Sequence, residues 1–558
     1  MRKTVLSIIA AASFITASAA VPTLTENWSK SLTGINESPN YVTPVKTDAT
    51  GAVIATGTFD TDFEFAKNTL EALGTSSYIL KYAADGTPAW GVALTGAATI
   101  SAVDTDTDGN VYVAGTFADE VVFNTTSGEP ITKMGMTVDG AATTKLNASF
   151  IAKYSADGKV EAVETFVPEY LPELVESGIY FPEDGDVQFT INNLAVSDAK
   201  VYASALFTGK TTKGNTTFEG SYYDAWGGGF LYMDMDNAAV FSLNTKDLSE
   251  CTKEAALTLV APTFMAMEKA INANLLVVDG QLYAGFVGVG TFNLSFGSSS
   301  KEVTFTPDGD TGNNEYGYAI ISANGSVSVS TISDASQPVE SIASLIMNDG
   351  NLYAVATTDG TGIPGSVTEQ AITGSSEIFV LTIDPATMTL KGSNPYSYNA
   401  GGEAEKENFE VALDAAPVGN ALYINFREFN FNHELIGAKS VIFDGTAFTE
   451  APVAATGVST ADKAVAFGQV TAEGVTFSSY SSSVSGITDI TTDGGVSVFP
   501  NPVVDVLNFS EPVDVIIYSL NGSVVKTASQ VSTLNVTDLA TGLYIVKAGD
   551  KAVRVIKK

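Results

Sequence analysis

Between residues 40 and 484, short apolar runs rich in β-branched and aromatic residues alternate with polar turns. The alternation has the two-residue period of half-buried strands. One unit reads Asp106-Thr-Asp-Gly109-Asn-Val-Tyr-Val-Ala-Gly-Thr-Phe117, and it recurs as Asp48-Ala-Thr-Gly51-Ala-Val-Ile-Ala-Thr-Gly-Thr-Phe59. Looser copies begin at Ser197, Val278, Asn348, Gly419 and Asp462. A second unit reads Phe150-Ile-Ala-Lys-Tyr154-Ser-Ala-Asp-Gly158 and matches Tyr78-Ile-Leu-Lys-Tyr82-Ala-Ala-Asp-Gly86, with looser copies at Tyr318, Ile378 and Phe477. Each unit predicts a hairpin turned at Asp-Gly or Asn-Gly, because a type I′ turn needs positive φ at both central residues.

Two hairpins make a four-stranded sheet. Such sheets in tandem, at ~40–50 residues or more each, are the signature of β-propeller blades. The expected fold is all-β: a propeller of seven four-stranded blades, six being the alternative, over residues 21–484. Asn27-Trp28-Ser-Lys-Ser-Leu32-Thr-Gly34 matches Ala89-Trp90-Gly-Val-Ala-Leu94-Thr-Gly96, the fourth strand of the first full blade. No strands precede the N-terminal copy, so it is expected to complete the last blade, around residues 454–480, and seal the ring against open sheet edges. The first two blades resemble the bacterial β-propeller repeats built on Asp-x-x-Gly-Asn-x-Tyr-x-x-Gly.

Residues 485–495 are rich in Ser, Thr, Gly and Asp and lack periodicity, as a linker does. Residues 496–558 form a second β-rich segment. It opens at Phe499-Pro-Asn-Pro502, runs through Val513–Tyr518 to Asn521-Gly522, and resumes at Leu539-Ala-Thr-Gly542-Leu-Tyr544. It ends in a strand followed by Lys557 and Lys558. This order resembles the C-terminal sorting domain of the type IX secretion system. The marks of the resemblance are Pro500, Asn501, Pro502, Gly522, Gly542, Tyr544, Lys557 and Lys558. It implies a small immunoglobulin-like β-sandwich, recognition by the type IX secretion machinery, and passage across the inner and outer membranes. The destination so implied is the cell surface or the medium, and these residues serve as recognition surface rather than chemistry.

The N-terminus agrees with export. Arg2-Lys3, an apolar stretch from Val5 to Ile15, and Ala17-Ser18-Ala19 predict a signal peptide over residues 1–20. That stretch is too short to span a bilayer, and no later one is long enough, so no transmembrane span is expected. The net charge of −35 argues against nucleic acid as a partner. The tail departs from it, with six Lys/Arg against five Asp/Glu. A single cysteine, Cys251, allows no internal disulfide, so a large core must supply the stability.

Chemistry is sparse. Asp104-Thr-Asp106-Thr-Asp108-Gly109 has the alternate-carboxylate spacing that suits Ca²⁺, but the twelfth position is Gly115 rather than a bidentate Glu. An acidic hairpin turn is the competing reading, and no other cofactor is expected. His433 is the sole histidine, which excludes multi-histidine zinc sites. Acids between residues 167 and 187, and Tyr222, Tyr223 and Trp226 in a second insertion, suggest a ligand site in which aromatics stack on a sugar; the competing reading is solvated acids with aromatics that pack the insertion onto the propeller. Three functions fit: a surface propeller binding a protein or glycan, a carbohydrate-active hydrolase or lyase with carboxylates at the propeller mouth, or a structural component of the envelope.

Overall fold

The computed structural model describes residues 22–35, 43–135, 137–138, 141–142, 148–169, 188–197, 199–220, 223–224, 230–231, 237–260, 269–297, 299–305, 317–322, 339–358, 377–396, 409–430, 435–462, 464–471, 473–484, 496, 498–519, 524–549 and 551–558. The expected signal peptide (1–20), the expected linker (485–495), His433, residues 170–187, Tyr222, Trp226 and Gly522 lie outside them. The chain divides into two compact units, Met1–Ser483 and Val484–Lys558.

The first unit is built of antiparallel strands. Its first sheet runs Val45–Thr47, Val53–Phe59, Ser76–Tyr82 and Pro88–Thr95, each strand pairing with the next. The second runs Ala98–Thr105, Val111–Phe117, Ala148–Tyr154 and Val160–Phe166, and the third Phe189–Val196, Lys200–Phe207, Asn237–Asn244 and Thr252–Leu259. The fourth has Lys269–Val278, the first part of Gln281–Phe296, and Gly317–Ser322 among the described residues. The fifth and sixth start at Val339–Asn348 and Phe409–Val418. The seventh holds Gly457–Ala461, Ala464–Thr471 and Gly474–Val484, and its fourth strand is the N-terminal Pro22–Thr33.

The first strand of each sheet packs against the first strand of the next, and that of the seventh against that of the first. This is a closed β-propeller. The expected seal is present. Ser31 and Thr476 hydroxyls lie 2.9 Å apart, Ser481 donates to Asn27 at 2.8 Å, and Gly34 N–H donates to the Glu473 carbonyl at 3.1 Å. At the opposite edge of the same sheet, the Thr43 and Thr456 hydroxyls pair at 2.8 Å.

The core sits between sheets, because every strand alternates which neighbour it faces. Ile54 and Ile79 of the first sheet pack with Val111 and Phe150 of the second; Tyr78 and Leu80, one residue over, pack with Phe477 of the seventh. Two hairpins add strands to the outside of the preceding sheet. Glu120–Phe123 leaves the second sheet to pair with Pro88–Thr95, and the far half of Gln281–Phe296 leaves the fourth to pair with Thr252–Leu259. Each covers an outer edge that would otherwise present unpaired backbone.

Turn chemistry differs along the chain. Asp279-Gly280 and Asp349-Gly350 both have positive φ at each residue, as a type I′ turn requires. At Asp85-Gly86 only the glycine is positive, and the register shifts between Lys81 and Tyr82. That turn is therefore longer than the two-residue form expected, with a bulge absorbing the extra residue.

In the second unit one long strand, Val506–Ser519, pairs with Val498–Phe499 and Val524–Asn535 through its first half. Its second half pairs with Val524–Asn535 and Gly542–Ala548, and the latter carries the last strand, Lys551–Lys557. Leu507 and Phe509 from one half share a core with Val515, Ile517 and Val546 from the other.

Candidate functional site: the central channel and the sorting module

Among the described residues the innermost strands of these sheets enclose a cavity of about 500 Å³. In the second to sixth sheets this strand carries a β-bulge, at Ile100/Ala102, Ile191/Asn193, Ala270/Asn272, Ile342/Ser344 and Ala412/Asp414. A bulge re-aims the following side chains. Here it accompanies polar residues at the axis of an otherwise apolar fold.

Those residues link neighbouring sheets into a continuous polar ring. Lys46 Nζ lies 2.6 Å from Asp104 Oδ1, joining the first sheet to the second. Val196 N–H donates to Asp104 Oδ2 at 2.7 Å, and Ser101 donates to the Ile191 carbonyl at 2.6 Å, joining second to third. Asn193 Nδ2 donates to Asn274 Oδ1 at 3.3 Å, and Asn274 Nδ2 to the Ala343 carbonyl at 2.9 Å. Ala415 N–H donates to Ser344 Oγ at 3.0 Å, and Val458 N–H to Asp414 Oδ2 at 3.1 Å. Thr47 N–H donates to Ser459 Oγ at 3.0 Å and closes the circle. Buried hydrogen bonds of this kind contribute about 1 kcal/mol each, and breaking one costs more because the remaining partner stays dry.

Asp414 is the second acid of this ring. Burial pushes its carboxyl up to about 6, against the pull of the Val458 and Ala415 N–H groups, Ser344 and Lys46. Asp104 and Asp414 are both engaged by the next sheet's backbone, so neither is poised as a free acid or base. The acids expected for sugar chemistry, between residues 167 and 187, lie outside the described residues except Glu169, which pairs with Lys210 at 3.1 Å.

The aspartates singled out for Ca²⁺ do not converge. Asp104 turns to Lys46 and Val196. Asp106 Oδ1 accepts Asp108 N–H at 3.0 Å and Asn110 N–H at 2.9 Å, while its Oδ2 accepts Asn110 Nδ2 at 2.8 Å and the Tyr112 hydroxyl at 3.0 Å. Asp108 is exposed. Among the described residues no three His, Cys, Asp or Glu side chains gather as a cation site. Asp48 repeats the turn role, accepting Thr50 and Ala52 N–H. Burial opposes its ionisation, but the Thr50 hydroxyl and Lys81 hold its carboxyl below the usual range.

Of the aromatic trio, Tyr222 and Trp226 lie outside the described residues, and Tyr223 belongs to the short strand Tyr223–Asp224 paired with Phe230–Leu231. Cys251 is half-buried, and burial pushes its thiol up to about 11, which leaves little thiolate for nucleophilic attack. Sequence reasoning missed the channel residues Asn193, Asn274, Ser344 and Asp414. A signal was present: each is a polar residue four or five positions before a turn, inside an apolar strand.

In the second unit the sorting marks meet on one strand. Asn501 Nδ2 donates to the Arg554 carbonyl at 2.7 Å, and its Oδ1 accepts Ile556 N–H at 2.9 Å. Both peptide bonds preceding Pro500 and Pro502 are cis. Gly542 pairs with Lys557 and Tyr544 with Val555 in the same ladder. The Tyr544 hydroxyl returns to the Ala540 carbonyl at 2.9 Å. Lys557 is buried, with Nζ on the Lys558 carbonyl at 2.6 Å, and Lys558 is exposed.

Comparison with known proteins adds one match of family weight. Residues 497–558 match the family Por_Secre_tail, described as the secretion system C-terminal sorting domain. No curated protein matches the chain. Among solved structures, a quinohemoprotein alcohol dehydrogenase, ADHIIG from Pseudomonas putida HK5, is 12% identical, over 88% of this chain and 80% of that one, with a TM-score of 0.36. The Dos1 propeller is 9% identical over 82% and 95%, also at 0.36. The β-propeller domain of the Trilobed protease from Pyrococcus furiosus is 9% identical over 83% and 99%, again at 0.36. Scores this low add no argument; the propeller rests on the strand pairing above. Among the described residues no helix is long and apolar enough to cross a membrane. The family match and the convergence of Asn501, Gly542 and Tyr544 on the last strand lead to one assignment: residues 497–558 are a type IX secretion system C-terminal sorting domain, which exports this chain to the cell surface or extracellular space.

Proposed function

We propose that this chain is an exported binding protein whose propeller presents a rigid face and channel to a protein or glycan ligand outside the cell. The observation that carries the reading is the pairing of a sorting domain with a propeller whose channel carboxylates, Asp104 and Asp414, are held by neighbouring backbone rather than left for chemistry. A ring closed by sheet-to-sheet hydrogen bonds suits recognition without turnover. The ligand sought is an envelope protein, a matrix component or a saccharide.

The test is capture. The immobilised full chain is incubated with envelope extract and with an array of defined glycans. Saturable retention of one species supports the reading. Retention of nothing above a scrambled-surface control counts against it and leaves the role of a structural envelope component.

A further inference from the structure

We infer that the wall of the central channel built by the third, fourth and fifth sheets is a binding site for a neutral saccharide. This deepens the binding reading and rests on it. The wall carries Asn192, Asn193, Asn272, Asn274 and Ser341. Asn272 Oδ1 is buried and has no hydrogen-bond partner among the described residues. A native fold rarely leaves a dry acceptor of this kind without reason. It follows directly on the bulge at Ala270/Asn272, which sets its direction. Asn274 of the same strand is engaged on both amide atoms, so it holds the wall rather than offering itself.

The chemistry selects the ligand class. A carboxamide presents a donor beside an acceptor, the pattern that two adjacent hydroxyls of a sugar complement. Charged residues of the lining are already engaged: Lys46 with Asp104, Asp414 with Val458 N–H, and Arg427 stacked on Phe429 with 5.5 Å to the ring centre. The lining residues of the third, fourth and fifth sheets carry no charge of their own, so a charged ligand seated on this wall would meet no counter-charge from it, which is costly. Among the described residues no Phe, Tyr or Trp lines the channel. Recognition here therefore rests on hydrogen bonds and shape, unlike the stacking expected of Tyr222, Tyr223 and Trp226. The volume of about 500 Å³ falls within the usual range of small-ligand sites, about 300–1,000 Å³.

The test titrates the full chain with neutral mono- and disaccharides of glucose, galactose, mannose and N-acetylglucosamine, read by calorimetry. One of them is expected to bind, and Asn272→Leu to weaken it at least tenfold. The variant keeps its unfolding midpoint, because it removes an unpartnered acceptor rather than a hydrogen bond. Asn68→Leu, on an exposed hairpin, should bind like the parent. Saccharide binding that survives Asn272→Leu overturns the channel assignment and leaves the binding reading standing. No binding across the panel, with a protein captured from extract instead, overturns the ligand class alone. No binding of either kind overturns both.

Discussion

Trp28 Nε1 donates to the Ala84 carbonyl at 3.0 Å, and its ring lies over Gly86, where a Cβ would meet Trp28 Cγ at 2.6 Å. Trp90 repeats the arrangement one sheet on. Its Nε1 donates to the Ala156 carbonyl at 2.9 Å, and a Cβ on Gly158 would meet Trp90 Cδ2 at 2.7 Å. In each case the outer strand of one sheet clasps the Asp-Gly turn of the next. Trp28 does so from the N-terminal strand of the seventh sheet, so the clasp spans the seam of the ring. Gly86 and Gly158 also have positive φ, so both space and backbone demand glycine.

Trp28→Ala should cost about 3–5 kcal/mol, the usual loss for a buried aromatic. Trp90→Ala should cost a similar amount but act within the ring. The two differ in a second readout. Limited proteolysis should release residues near Pro22–Thr33 from Trp28→Ala and not from Trp90→Ala. Equal resistance of the seam in both variants would show that Trp28 does not hold it.

Asp414 makes stability depend on pH in a defined direction. Its folded carboxyl titrates near 6 against an ordinary value of 3.8, so the native state holds the proton more tightly than the unfolded chain. The stability this group contributes is full below the unfolded value and is lost as pH rises through about 6. Asp414→Asn removes that slope. Urea midpoints for parent and variant across this range should give a difference that shifts against the parent as pH rises, then levels. A difference that shifts towards the parent would refute the assignment.

Asp106 is a turn cap. Asp106→Ala removes the acceptor for Asp108 N–H, Asn110 and Tyr112, at about 2–3 kcal/mol in chemical unfolding. Ca²⁺ and chelator should leave the midpoints of parent and variant where they are. A Ca²⁺-dependent rise in the parent that the variant lacks would show a metal role.

Asn501 joins the Pro-Asn-Pro entry to the last strand through two hydrogen bonds. Asn501→Ala should speed amide exchange at Ile556 and reduce surface display. Deleting residues 497–558 should leave the propeller in the periplasm. Surface exposure of the truncated chain at parental level would contradict the sorting assignment.

Much of this was legible in the sequence because repetition amplifies weak local signals. The matching of Trp28 to Trp90 located the seam, since a strand with no partners of its own must find them elsewhere. The marks at Asn501, Gly542 and Tyr544 were readable because each is tied to a backbone geometry. The channel was not. Asn193, Asn274, Ser344 and Asp414 sit in the least regular strand of each unit, and bulges shift them off strict alternation. Nor could spacing show that Asp104 and Asp106, two residues apart, serve different partners. Asp104 reaches across to the next sheet, while Asp106 folds back on its own turn.

Recognition without turnover is read by following the captured ligand through time. The full chain is mixed with the species it retains, and the ligand's mass and bound fraction are read at intervals. Stoichiometric, saturable binding is expected, with the ligand recovered chemically unchanged. Progressive conversion of the ligand, abolished by neutralising a single carboxylate of this chain, would make it an enzyme and overturn the binding role.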